Sequence, residues 1–277
     1  SIYEAANYFL LANAIRDIRG DTTEHRSMMV HISLYTLVQN QIADFLSVWL
    51  DQVKSDLRNY SKMPRDKAEK IATIRALHNV WDKYDLSTAC HIEWQDVLHS
   101  YLYRAVAPID VRAVNMKTGA ASLDYFNHKN DGLRVIAVGG NSLSRGLTLE
   151  GLCVTYFHRN TKMYDTLMQM GRWFGYRPNY DDLVKVWMSY EAIDWYGQIT
   201  RATAELKEEI AKMRNAHQTP REFGLKVRQD PGALIVTARN KMRNATDITC
   251  PVTVSGNLLE TPRPVSYTHL RAHETGA

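Results

Sequence analysis

Residues 138–177 read VGGNSLSRGLTLEGLCVTYFHRNTKMYDTLMQMGRWFGYR, and the fold of the chain turns on how this stretch is parsed. The run Arg134-Val135-Ile136-Ala137-Val138 is short, apolar and broken by Gly139-Gly140, which predicts a strand buried on both faces. The polar segment Asn141-Ser142-Leu143-Ser144-Arg145-Gly146 then reads as a loop. Cys153-Val154-Thr155-Tyr156-Phe157 predicts the next strand, and a helix around Tyr164 to Trp173 brings Gln169 and Arg172 forward, with Arg177 just beyond. Loops after the carboxyl ends of parallel strands are where α/β sheets place ligands. Glycines there let the backbone approach a phosphate, and Ser, Thr and Arg side chains donate to its oxygens. Paired arginines suit phosphoryl transfer, because charge grows on the transferred group in the transition state, and lysine lacks the planar, permanently charged fork.

On the amino-terminal side, residues 2–19 place Ala5, Phe9, Ala12 and Ile15 or Arg16 on nearly one face of a helix that Gly20-Asp21 stops. Residues 26–33 predict a buried strand, and 34–50 return to helical spacing. A long polar helix over 64–84, with Ile71, Ile74, Leu77, Val80 and Trp81 on its apolar stripe, and a second over 94–106 read as a helical insertion at about 60–107. Further strands are expected at 111–114, 183–188 and 233–237, and an amphipathic helix at 191–214. Short apolar strands alternating with helices predict an α/β fold with a parallel sheet covered on both faces. The expected organisation is an N-terminal helix over 1–25, an α/β lobe over 26–190 containing the insertion, and a helical and mixed C-terminal extension over 191–264.

Composition narrows the function classes. The chain has 277 residues, 45% hydrophobic and 23% charged, with 34 Lys plus Arg against 30 Asp plus Glu, a balance of +4. That is an ordinary globular composition with only a mild general pull on polyanions, so any nucleic-acid site is local. Cys90, Cys153 and Cys250 lie far apart with no C-x-x-C pair, which argues against zinc and fits a reducing cytoplasm. No run of eighteen apolar residues predicts a membrane span. Residues 265–275, VSYTHLRAHET, look like one translated frame of a sequencing-library adaptor, so His269, His273 and Glu274 are given no role. With no initiator Met, the expectation is a fragment of a longer protein.

Two motifs carry a resemblance. Ser144-Arg145-Gly146-Leu147 with its preceding strand resembles motif V of superfamily 2 helicases, and Gln169-Met170-Gly171-Arg172 with Arg177 resembles motif VI. Over about residues 2–245 the chain resembles the Z-one domain family, an endonuclease-type domain associated with helicase-like ATPase regions in bacterial restriction and defence genes. The stretches that carry this most specifically are 139–152 and 164–177. The resemblance implies a RecA-like second lobe, with residues 28–33 as its opening strand. It implies ATP and Mg²⁺ held mainly by a first RecA-like lobe of the same protein, and DNA and other restriction or defence subunits as partners. Arg172, Arg177 and Gln169 would be catalytic. Gly139, Gly140, Asn141, Arg145 and Gly146 would adjoin the nucleotide, and Ser144 and Thr148 would touch nucleic-acid phosphate. Motif VI of those helicases has two residues between Gln and Gly and two between its arginines, where this chain has one and four. Arg172, directly after Gly171, is therefore the closer match.

No G-x-x-x-x-G-K-[S/T] loop occurs, so the chain alone is not expected to hydrolyse ATP. Two other classes stay open. One is a non-catalytic nucleic-acid-binding module with helicase topology. The other is a nuclease within this chain, for which Asp181, Asp182 and Lys185 are better placed than Glu205-Leu206-Lys207 on a helix face. Asp165 is read as a helix cap or brace, and Trp173, Phe174 and Tyr176 as core aromatics that could alternatively stack bases.

Overall fold

A computed structural model describes residues 1–115, 123–140, 143, 148–158, 164–171 and 177–219. The first helix, α1 (Ile2–Ile18), leads to β1 (Arg26–His31) and α2 (Thr36–Tyr60). Then come α3 (Arg65–Ala68), α4 (Ala72–Lys83) and α5 (Leu86–Cys90). A continuous helical stretch follows, α6 (Trp94–Asp96), a π-helical segment (Val97–Leu102) and α7 (Tyr103–Val106), before β2 (Asp110–Val114), β3 (Arg134–Gly139) and β4 (Leu152–Phe157). The last described elements are α8 (Tyr164–Gly171), β5 (Lys185–Met188) and α9 (Tyr190–Asn215). The expected strand at 233–237 lies outside the described residues.

The five strands form one sheet in the order β2-β3-β1-β4-β5, and every neighbouring pair is parallel. Their carboxyl ends, His31, Val114, Gly139, Phe157 and Met188, therefore share one edge. All six residues of β1 and of β3 are buried, as expected of strands covered on both faces. Met28, Val30, Ile136, Val138 and Val154 pack with the helices into one core, while Met29, Val135, Ala137, Thr155 and Phe157 alternate with them and are buried too.

Helix α1 departs from the one-faced helix that its spacing suggests: every residue from Ala5 to Arg16 is buried. It contacts β4 and β1 on one side and α4, the π-helical segment and α7 on another, so it lies between the sheet and the helical insertion. A helix walled in by two layers has to be apolar around its whole circumference, which Tyr8, Leu10 and Leu11 provide beside the expected stripe. Gly20 ends it with φ +84°, as the Gly20-Asp21 stop requires. The expected helix over 64–84 is two helices, with Glu69 as C-cap of α3 and Ile71 in extended conformation as N-cap of α4.

The chain divides into two compact units. One comprises residues 1–159 and 173–189 and holds the sheet, α1 and the insertion. The other comprises 160–172 and 190–277, in which α8 meets α9 and the Tyr196 hydroxyl donates to the Leu167 carbonyl at 3.1 Å.

Candidate functional site

The carboxyl edge of the sheet is built from strand ends and the residues directly after them. Helix α2 starts there with Tyr35 as N-cap and no side-chain capping bond. The N–H groups of its first turn thus present partial positive charge at that edge. Gln39 is buried; its amide donates to the Ser33 carbonyl at 2.9 Å, and its Oε1 has no hydrogen-bond partner. The buried Asn115, following β2, donates to Asn40 at 3.4 Å, and the His31 ring stacks on Phe157 with centroids 5.3 Å apart. Sequence reading passed over Gln39, Ser33 and Asn115; the usable signal was their place directly after a predicted strand.

The glycine pair sits in the same edge for a reason of packing. A Cβ on Gly139 would come 2.4 Å from the Val114 carbonyl oxygen and 2.9 Å from Leu143. On Gly140 it would come 2.5 Å from the Ser33 carbonyl oxygen and 2.6 Å from the Gln39 amide nitrogen. Both positions exclude side chains because the neighbouring backbone is already there, which lets the chain turn sharply out of β3. Their Cα faces are filled by protein, so phosphate contact at this pair would go through backbone N–H groups. The edge fits an anionic ligand to that extent, through the uncapped α2 terminus beside it.

Asn141, Ser144, Arg145, Gly146 and Arg172 lie outside the described residues, as do Trp173, Phe174, Tyr176 and the side chain of Asp165. Gln169 is exposed on α8, in the second unit. Thr148 is exposed two residues before Glu150, whose backbone carbonyl accepts from Ser27 Oγ at 2.7 Å and whose carboxylate lies 3.6 Å from His25. Those contacts hold Glu150 at the amino edge, so the structure does not bring Thr148 together with Gly139 and Gly140. Arg177 is half-buried, and its charge is felt by Tyr180, whose ring is stacked under Arg16 at 4.1 Å. Burial raises the Tyr180 hydroxyl pKa, and Arg16 and Arg177 oppose that rise. Arg16 itself pairs with Asp21 at 2.5 Å and donates to the His25 carbonyl, which places this group also towards the amino edge.

Asp182, a nuclease candidate, is held by Arg19, whose guanidinium donates to its two carboxylate oxygens at 2.9 and 2.5 Å. The hydrogen bonds from Arg19 keep its pKa below the ordinary value. Among the described residues no group of three or more His, Cys, Asp or Glu is placed to hold a metal ion. A carboxylate held by arginine is a poor start for a Mg²⁺ site. Asp182→Ala is expected to cost at most about 1 kcal/mol in urea unfolding, since the pair is half exposed, and to leave any Mg²⁺-dependent nicking unchanged. Because the folded pKa is lowered, the stabilisation is present above the ordinary value of 3.8 and fades as pH falls through the lower, folded value. Loss of nicking in this variant would restore the nuclease assignment.

Among the described residues no helix is long and apolar enough to cross a membrane. Compared with known proteins, residues 1–234 match the family model described as Z1 domain. No curated protein and no solved structure matches the chain.

Proposed function

The chain belongs to the Z1 domain family, and from that premise we propose that it is the RecA-like second lobe of an ATP-dependent DNA-processing protein of restriction or defence type. The observation that carries this reading is the all-parallel sheet whose β3 ends in Gly139-Gly140 at the carboxyl edge and feeds the motif V-like segment 141–147. The motif VI-like segment continues from Gln169 on α8 into Arg172. ATP with Mg²⁺, held mainly by the first lobe, would supply the phosphoryl group whose hydrolysis drives the cycle. Arg172 would complete that site with a permanent positive charge, and the segment between β3 and β4 would link nucleotide state to grip on the DNA backbone. Arg177 lies near Tyr180, so the finger role is assigned to Arg172 alone. The endonuclease activity associated with the family is part of this proposal for the intact protein.

The experiment is DNA affinity of the intact protein, measured with and without a non-hydrolysable ATP analogue over a salt series. The second-lobe reading expects affinity to change at least about tenfold with the analogue, a coupling of about 1.4 kcal/mol. A salt-dependent affinity indifferent to nucleotide would favour the alternative, a binding module with helicase topology and no motor.

A further inference from the structure

Helix α2 buries one side, through Ala43, Leu46, Leu50, Val53 and Leu57, and leaves an apolar stripe on the other. Leu37, Phe45 and Val48 are each about 70% exposed, and Leu34 and Tyr35, just before the helix, are 51% and 74% exposed. With exposed Gln41, the positions 34, 37, 41, 45 and 48 fall within about 40° of one line on the helix surface at its ~100° per residue. Their spacing is three, four, four and three residues, the same read in either direction, with Gln41 at its centre.

We propose that this stripe is a self-association surface, on which two copies of the protein pair antiparallel along α2 about a two-fold axis through Gln41. A two-fold interface has to be self-complementary, and a stripe with mirror-symmetric spacing is. The axis sets Leu37 against Phe45 of the partner subunit and Leu34 against Val48 of the partner subunit. The two Gln41 amides meet at the centre, where each has a donor and an acceptor for the other. Charge selects the orientation. Asp44 and Asp51 flank the stripe on one side and are exposed. A parallel pair would set each against its own copy, whereas the antiparallel pair puts Asp44 beside Asn40 of the partner subunit, whose amide can donate to it. It also keeps the two Asp44 carboxylates about 9 Å apart along the axis, six residues at ~1.5 Å each.

The area is of the right order. The five exposed apolar side chains present on the order of 600 Å² per copy, against about 800 Å² per partner in a stable interface. Val38, Ile42 and Trp49, half-buried along the other flank, supply more; Trp49 is already braced by Tyr3 at 5.9 Å between rings. The pairing needs no nucleotide and does not depend on the ATP reading.

The test uses the full chain with Cys90 and Cys250 replaced by serine, leaving the buried Cys153. It is expected to sediment as a dimer, and Phe45→Glu is expected to sediment as a monomer with an unchanged melting temperature, since Phe45 is mostly exposed. Gln41→Cys should form a disulfide to its own copy under mild oxidation, whereas Gln52→Cys, farther along the same side of α2, should not. A monomeric parent chain at every concentration tested would overturn the proposal. Equal cross-linking at positions 41 and 52 would overturn it too, because that is the mark of a parallel pair.

Discussion

In the intact protein, Arg172→Ala is expected to lower DNA-stimulated ATP turnover by about 10³-fold, the lower end of what an arginine supplied to a phosphoryl-transfer site contributes. At about 1.4 kcal/mol per decade this corresponds to roughly 4 kcal/mol of transition-state stabilisation. The effect belongs in kcat, because the charge that the guanidinium neutralises develops on the transferred group only during the reaction, so KM for ATP should move little. Arg172→Lys should recover little of the loss, since an ammonium offers a point charge where the fork donates along two directions. The thermal melt has to be measured alongside, because a variant that unfolds also loses turnover. Turnover within twofold of the parent would remove Arg172 from the ATP site and leave the binding-module reading standing. A raised KM with unchanged kcat would instead make it a ground-state contact.

The sheet was legible for a physical reason. Strands buried on both faces must be apolar at successive positions, and β1, β3 and β4 show it in Met28-Met29-Val30, Val135-Ile136-Ala137-Val138 and Cys153-Val154. Helix α9 was equally plain, since its expected span of 191–214 and the observed Tyr190–Asn215 differ by one residue at each end. The break between α3 and α4 was not legible: residues 69–71 contain neither Gly nor Pro, so local propensity gives no sign of it. The π-helical segment Val97–Leu102 carries no sequence signature either. At the candidate site, the strand that ends in Gly139-Gly140 could be read, but the reason for the glycines could not. That reason lies in Ser33, Gln39 and Val114, brought alongside by the parallel order of β1, β2 and β3. The same holds for Arg177, whose neighbour Tyr180 is stacked under an arginine from the first helix.

The charges inside the fold were the least legible feature, because their partners are distant in the chain, and they set the largest expected effect on stability. Asp17, on α1, accepts from Arg26 at 2.7 Å and from both terminal nitrogens of Arg134 at 2.8 Å. Arg26 is fully buried and Arg134 is 8% exposed, one opening β1 and the other β3. Burial, reinforced by the neighbouring Arg134 charge, pushes the Arg26 pKa down to about 10, and Asp17 works against that shift. Arg26 also donates to the backbone carbonyls of Asn13 and Asp21, so its charge is shared among three acceptors of the α1 region. Removing the one carboxylate that faces both guanidinium groups would leave two like charges side by side out of water. Asp17→Ala is therefore expected to destabilise the sheet-bearing unit by about 3–5 kcal/mol, a fall in melting temperature of roughly 10 °C or more. Asp17→Asn keeps an acceptor but not the charge and should fall between. The exposed pair of Lys83 and Glu4, 2.6 Å apart, gives the contrast: Lys83→Ala should change stability by less than about 1 kcal/mol. Urea unfolding of the three variants decides it. A loss below about 1 kcal/mol for Asp17→Ala would mean that water reaches the two arginines and that α1 is not pinned to the sheet through their charge.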